Sequence, residues 1–538
     1  MTSAHTTSRM LWVITLTVGG LLSAVNLIFG DLNQDEGWYL YAARLMSEGW
    51  WPYRDFAFTQ GPMLPLIYGL MYPVVDALGV GGGRLLTMLV GFAAALFASA
   101  LAWRLGGRSA GLLTLALLLL NVYHSYFTTV VKTYALCGLF ITAGFYALGR
   151  KTGSQSPAWL LLAGFSFAAA AGTRLSAGVL LPVVGLWLLF ARKYWGAMGW
   201  FWFGIGGGAG LTLILAPFFL MAPEGFTFGL IQYHTLREGG GGLAHLAFKG
   251  GFISRMVQAY FVAAVLVAAM VAAKVWRPFK GTDSGYHDTA AFNLIRLMWA
   301  GALAMTLVHL TAPFPYDDYQ VPVFPLVAVA LGVSWAYALR AWSGMGYRWR
   351  AGEEPADPPV MRWFLWVVVL AGVAAAFSSP LNQEWMIAGR DRIWWNIKKQ
   401  PALLQLRDVA RALRAEAEDG LLLTQDTYLA VEAGLMVPPG WEMGPFSYYP
   451  DMPTGQARAL HLVNKEIMLN DLATYPSRMA AFSGYGLSIA SPEVQPLGPA
   501  HEQELLDVLL RRYEPVSEVP RFGQAATTLK TYRLKPGP

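Results

Sequence analysis

Among the 538 residues there is a single cysteine, Cys137, and it lies inside an apolar run. That excludes a disulfide framework and a cysteine-based metal site, leaving a small residue packed in a helix. Charge is almost as scarce. Asp, Glu, Lys and Arg make up 13% of the chain, where a soluble protein carries about 25%. With 55% hydrophobic residues and a mean hydropathy of +0.41, a soluble fold is excluded. The net charge of +6 is not a nucleic-acid footprint. Residues 1–379 hold 23 basic and 15 acidic residues, and residues 380–538 hold 16 and 18. The excess therefore belongs to the apolar part, where it reports orientation in a membrane.

Long hydrophobic runs recur near 10–29, 63–79, 84–103, 109–122, 131–148, 158–172, 175–190, 198–221, 252–273, 291–310, 320–339 and 362–379. Several are shorter than the roughly 18 residues a spanning helix needs, so some are tilted, broken or re-entrant. The reading is an all-α polytopic membrane protein with about 11–13 transmembrane helices. The first run is too long for a signal peptide's apolar stretch and is expected to stay as an anchor. Basic clusters fall at Arg104/Arg108, Arg150/Lys151, Arg192/Lys193, Lys274/Arg277/Lys280 and Arg340/Arg348/Arg350/Arg362, two runs apart. One side takes them all, and the positive-inside rule makes it cytoplasmic; Arg9 puts the N-terminus there too. Residues 31–62 and everything after 380 then face outside. The count fails at one place: two runs between 62 and 104 would return the chain to the outside, so one run within 62–131 must be re-entrant or Arg104 and Arg108 break the rule.

Two domains result, a membrane domain over 1–379 with an outer loop at 30–62, and a soluble extracytoplasmic α/β domain over 380–538. In the second, Pro401 to Glu418 is an amphipathic helix with Gly420 as its stop. LLLT at 421–424 and ATTLKTYRL at 526–534 read as strands, and 455–473 and 501–513 as helices. It carries no phosphate loop, dinucleotide fingerprint or Cys/His metal spacing.

Chemistry concentrates in the first loop, which holds Asp31, Asp35, Glu36, Glu48 and Asp55 against Arg44 and Arg54. Adjacent carboxylates at a membrane surface suit a general base or a cation site; composition alone favours a solvated acidic loop. Its pattern is Asp35-Glu36-x-x-Tyr39, an amphipathic stretch Tyr41–Gly49, then Pro52-Tyr53-Arg54-Asp55 and Gly61-Pro62. This resembles the first extracytoplasmic loop of GT-C glycosyltransferases, nearest the protein-mannosyltransferase and lipid A aminoarabinose-transferase branch. The resemblance runs along residues 10–340 as an order of motifs. It implies that Asp35 sits at the reacting centre as base, with Glu36 as a supporting acid or cation ligand and Tyr39 beside the substrate. It also implies an inverting transfer from a polyprenyl-phosphate sugar, embedded among membrane lipid, to an extracytoplasmic acceptor at the plasma membrane.

Further matches are His234-x-x-Arg237 and Tyr319, after Tyr316-Asp317-Asp318. By the resemblance, His234 and Arg237 bind phosphate or sugar hydroxyls from one helix face, and Tyr319 stands at the cavity mouth. Asp317 and Asp318 read as solvated extras. Arg174 lies between two apolar runs, where a cation is costly and marks function, with snorkelling to the surface as the competing explanation. Departures from the family are Gln60-Gly61-Pro62 in place of Glu-Lys-Pro, and Lys132 where many members have a second aspartate. Lys132 and Arg174 are therefore the expected phosphate contacts. The cofactor is unknown; a divalent cation near Asp35 and Glu36 is the candidate, and the lost aspartate counts against it. The competing class is a catalytically inactive GT-C-like scaffold that binds lipid or a partner membrane protein. A transporter fits less well, since its charges would lie near the midplane.

Overall fold

Helices carry most of the chain. The computed structural model describes residues 2–151, 156–237, 243–272, 290–343, 357–377 and 400–536. Six helices there are long and apolar enough to cross a membrane: Ser8–Phe29, Val80–Leu119, Gly199–Met221, Ala291–Thr311, Phe324–Trp342 and Pro359–Phe377. A seventh span results if Leu246–Ala259 and Phe261–Ala272, bent by 92° at their junction, count as one. Ala158–Thr173 and Leu175–Phe190 are shorter apolar helices. The expected 11–13 spans counted apolar runs; among the described residues six or seven helices pass by length and composition, with Val80–Leu119 counted once although it turns back at Gly107. The boundary at 379/380, Lys274/Arg277/Lys280 and Arg348/Arg350 lie outside the described residues.

Two breaks explain why the charge count failed. The run 63–79 folds as two short helices, Met63–Leu70 and Tyr72–Leu78, of 8 and 7 residues. Neither exceeds about 12 Å, far short of a bilayer's roughly 30 Å. The next helix, Val80–Leu119, reverses at Gly107, whose φ of 81° is open to glycine at no steric cost. Ser99 Oγ donates to the carbonyl of Gly111 at 3.0 Å, although twelve residues of straight helix would separate them by about 18 Å. Arg340 closes the turn by donating to Gly106 O at 2.9 Å. The chain therefore crosses once between the first loop and the Arg104/Arg108 turn, and 63–79 is the run that does not span.

Packing among the helices relies on small residues. Ala158–Thr173 meets Gly199–Met221 where Gly164 lies against Phe203 O and Gly207 N, and Gly210 against Ala168. In lipid such close approach, rather than a hydrophobic drive, holds helices together. Phe324–Trp342 is the most enclosed of the six, 83% of its apolar window being buried, and it packs along Val80–Leu119.

The C-terminal part begins with the amphipathic helix Ala402–Glu416, its Leu403, Leu406, Val409, Ala410 and Leu413 buried. Gly420 follows with φ 73°. An antiparallel sheet has the strand order Met479–Phe482, Thr527–Leu534, Tyr513–Phe522, and Ile489–Ala490 pairs with Gln495–Pro496. The helix over 501–513 appears as Pro499–Arg512. Two expectations differ. Residues 421–424 form no strand, only single bridges from Leu421 to Met436 and from Leu423 to Ala480. Residues 455–473 divide into Thr454–Ala459 and Lys465–Thr474, because His461 takes a positive φ of 54° that a helix excludes.

The first loop is not a solvated tether. Its helix Gln34–Ser47 is buried along most of its length, and Trp38, Tyr39, Leu40 and Tyr41 share one apolar core with Leu406, Tyr428 and Leu429 of the C-terminal part. Gly37 is the contact point: a Cβ there would strike the backbone nitrogen of Tyr428.

Candidate active site

The site starts at the cap of Gln34–Ser47. Asn33 Oδ1 accepts from Asp35 N at 3.0 Å, and Glu36 Oε1 accepts from Asn33 N at 3.1 Å, a capping box that fixes the first turn. The two adjacent carboxylates then part company. Glu36 is fully buried. Its Oε2 takes Arg84 Nε at 2.7 Å and Val131 N at 3.2 Å, and its Oε1 takes a second Arg84 nitrogen at 2.6 Å besides Asn33 N. A carboxylate has about four acceptor positions, and all are filled. The other donors of Arg84 go to the carbonyls of Leu27, Gly30 and Asp31. The expectation of Glu36 as supporting acid or cation ligand is corrected: it ties the loop helix to the membrane helices.

Asp35 faces the other way. Its Oδ1 accepts from Trp38 Nε1 at 3.2 Å, and its Oδ2 lies 3.0 Å from Lys132 Nζ. The same ammonium is 2.7 Å from Asp318 Oδ2. Lys132 is 8% exposed at its side chain, Asp318 13% and Asp35 28%, so only Asp35 keeps appreciable access to water or substrate. The Lys132 ammonium also lies over the rings of Phe127 and Tyr134, 5.3 and 5.4 Å from their centres. Burial raises the Asp318 carboxyl, and the Lys132 ammonium overrides that effect and holds it below the usual carboxylate range.

Arg174 completes the group. Its guanidinium lies 4.4 Å from the Tyr319 ring centre and 4.9 Å from that of Tyr134, and it donates to Thr133 Oγ1 at 3.3 Å. Its Nε is buried without a hydrogen-bond partner, and it makes no ion pair among the described residues. Tyr39, one turn beyond Asp35, is buried; burial and then Asp35 push its phenol well above the ordinary range, so it stays a neutral hydroxyl. Tyr319 is further flanked by His309 and Tyr316, ring centres 5.6 and 5.7 Å away.

His234 and Arg237 do not share a helix face. The helical turn stops at Thr235, and the side chains diverge. His234 Nε2 is 3.1 Å from Thr59 O; because a carbonyl only accepts, Nε2 carries the proton. Burial, then Arg237, lowers this imidazole to about 4, so it is neutral at neutral pH and clamps the first loop. Arg237 donates to Pro492 O at 2.9 Å and to Tyr233 Oη at 3.0 Å. It too forms no ion pair among the described residues.

Asp318, expected to be solvated, is the residue that sequence reasoning missed. A lone lysine beside an apolar run demands an opposite charge, and that demand was the available signal. A divalent cation does not fit these donors. Glu36 is spent on Arg84, and the space between Asp35 and Asp318 is filled by an ammonium that would repel it. Among the described residues no three His, Cys, Asp or Glu side chains gather as a metal site.

A helical membrane bundle joined to a small C-terminal sheet, with a carboxylate of the first loop at their junction, is a fold the chain shares with solved structures. The chain is similar throughout to ArnT from Cupriavidus metallidurans bound to undecaprenyl phosphate, with a TM-score of 0.61 at 14% identity over 96% of this chain and 97% of that one. The apo state of the same protein matches with a TM-score of 0.61 at 15% identity and the same coverage. The oligosaccharyltransferase of Archaeoglobus fulgidus is more distant, with a TM-score of 0.47 at 10% identity over 95% of this chain and 74% of that one. No family model matches the chain, and no curated protein matches it by sequence. At such identities the likeness is one of fold.

Proposed function

We propose that this chain is a membrane glycosyltransferase that moves a sugar from a polyprenyl-phosphate donor to an acceptor hydroxyl outside the membrane, with inversion. The observation that carries this reading is the junction centre: Asp35 is the most open of three coupled charges, Arg174 shares the neighbourhood of Tyr39 with it, and Arg174 and Arg237, which have no acid partner among the described residues, both act on Tyr319. The GT-C fold and a neighbour that binds undecaprenyl phosphate support it. Asp35 takes the proton of the acceptor hydroxyl. The hydroxyl oxygen forms its bond to the anomeric carbon as the bond from that carbon to the phosphate oxygen breaks, and the electron pair leaves on the phosphate. The phosphate gains negative charge in that step, and Arg174 and Arg237 stabilise it through charge-assisted hydrogen bonds. Lys132, an expected phosphate contact, is committed to two carboxylates and has a different part.

The rival reading, a scaffold that binds lipid without turnover, draws on the ion pair that holds Asp35. Purified protein with undecaprenyl phosphate decides between parts of this account. Binding should stabilise the wild type against heat and weaken at least tenfold in Arg174→Gln. Equal affinity in the variant removes Arg174 from the phosphate site.

A further inference from the structure

We propose that the Lys132 ammonium is a built-in counter-cation that occupies the place of a divalent ion between Asp35 and Asp318, so that this centre works without one. The claim about catalysis rests on the transferase reading; the claim about the ion stands on geometry. Asp35 and Asp318 come from segments nearly three hundred residues apart, and a single nitrogen bridges them at 3.0 and 2.7 Å. Two carboxylates converging on one point are what a hard divalent cation seeks. Here that point is taken by an atom of the chain itself.

Three features keep the ammonium there. Lys132 is nearly enclosed. Its head rests on the faces of Phe127 and Tyr134, which favour a cation on the sides the carboxylates leave open. Trp38 holds the far oxygen of Asp35, so the carboxylate cannot easily turn away. The charges also balance: Asp35 and Asp318 supply two negative charges, Lys132 and the nearby Arg174 two positive ones. With the ammonium in place a divalent ion would overcharge the set; with it removed, the two carboxylates and water are left to supply the ion's oxygen ligands. The ammonium is satisfied by far fewer acceptors. It cannot dissociate, so the centre is indifferent to the divalent cations around it.

The test uses full-length purified protein and Mn2+ as the probe, read by electron paramagnetic resonance and by transfer activity. Wild-type protein should bind no Mn2+ tighter than about 1 mM, and transfer should be unchanged by a chelator. Lys132→Met, which keeps the length and removes the charge, should gain Mn2+ binding at least tenfold over wild type, and Asp318→Asn in that background should abolish it. Mn2+ binding by the wild type that Asp318→Asn removes overturns the proposal, as does chelator-sensitive transfer restored by Mn2+. No gain of binding in a folded Lys132→Met overturns it too. If Lys132→Met does not fold, the wild-type and Asp318→Asn measurements alone decide the matter. If no transfer is seen under any condition, the transferase reading falls, while the Mn2+ spectra still decide whether the ammonium holds the ion's place.

Discussion

Single residues show where burial and charge are in conflict. Glu442 in the C-terminal part is 9% exposed. Its Oε1 accepts from Gly440 N at 3.0 Å, and its Oε2 is buried without a hydrogen-bond partner. Burial pushes its carboxyl up to about 7. The folded state then holds this proton more tightly than the unfolded state does, so its contribution is fully present below about 4.5 and is lost as pH rises through 7. A tenfold change in proton affinity is worth about 1.4 kcal/mol, so the rise from 4.5 to about 7 bounds the loss at about 3–4 kcal/mol. Hydrogen-exchange protection of residues 436–450 should fall between about pH 5 and 7 in the parent and stay level in Glu442→Gln. A parallel fall in both proteins contradicts the assignment. The motif singled out Asp35 because the pattern is local. The role of Glu36 was not, since its partner Arg84 lies 48 positions away and nothing in either neighbourhood names the other. Removing Arg84 leaves a buried, unpaired carboxylate, which costs about 3–5 kcal/mol. Arg84→Ala should therefore melt markedly lower than the parent, and an unchanged melting curve would refute the structural role given to the pair.

At the scale of elements, the loop helix Gln34–Ser47 is held from both ends of the sequence. Gln34 Nε2 donates to Asp426 Oδ1 at 2.9 Å across 392 positions, and Gln34 N donates to Gln524 Oε1 at 2.9 Å. Asp426 also accepts from Tyr428 Oη, Ser483 N and Ser483 Oγ. Removing that carboxylate orphans several buried donors, at about 1–3 kcal/mol each. Asp426→Ala should raise the exchange rate of amides 34–40 and lower the transfer rate, with undecaprenyl-phosphate affinity retained; unaltered exchange there would show that the C-terminal part does not order the loop. Hydropathy found the apolar runs and could not find their interruptions. Residues 63–79 carry one charge, Asp76, in an otherwise largely apolar run, yet Pro65 and Pro73 lie within them, and a proline starts a helix more readily than it continues one. Gly107 gave the complementary signal, a glycine between Arg104 and Arg108 where a turn at the membrane surface was needed. Residues 421–424 looked like a strand because they are a short apolar run, which periodicity alone cannot assign.

For the whole molecule, the first loop and the C-terminal part form one body on one face of the helices, as His461 to Arg54 and Gln34 to Asp426 each require. In a Cys137→Ser background, cysteines at the exposed Glu48 and Gly455 should be labelled from outside intact cells, and one at Lys193 only after permeabilisation. Labelling of 48 and 455 from opposite sides would break the architecture. The charge distribution put both on one side, because the positive-inside rule acts on every loop at once. The junction itself was invisible, since its contacts join residues at opposite ends of the chain.

The central claim is that Asp35 is the base of a sugar transfer from a lipid phosphate. The most direct measurement incubates purified wild type and Asp35→Asn with isotope-labelled polyprenyl-phosphate sugars and a panel of hydroxyl acceptors, counting labelled product and released lipid phosphate. The account predicts transfer by the wild type and a loss of about 10²–10⁴ in rate for Asp35→Asn, with undecaprenyl-phosphate affinity preserved. Near-normal turnover by the variant would contradict it.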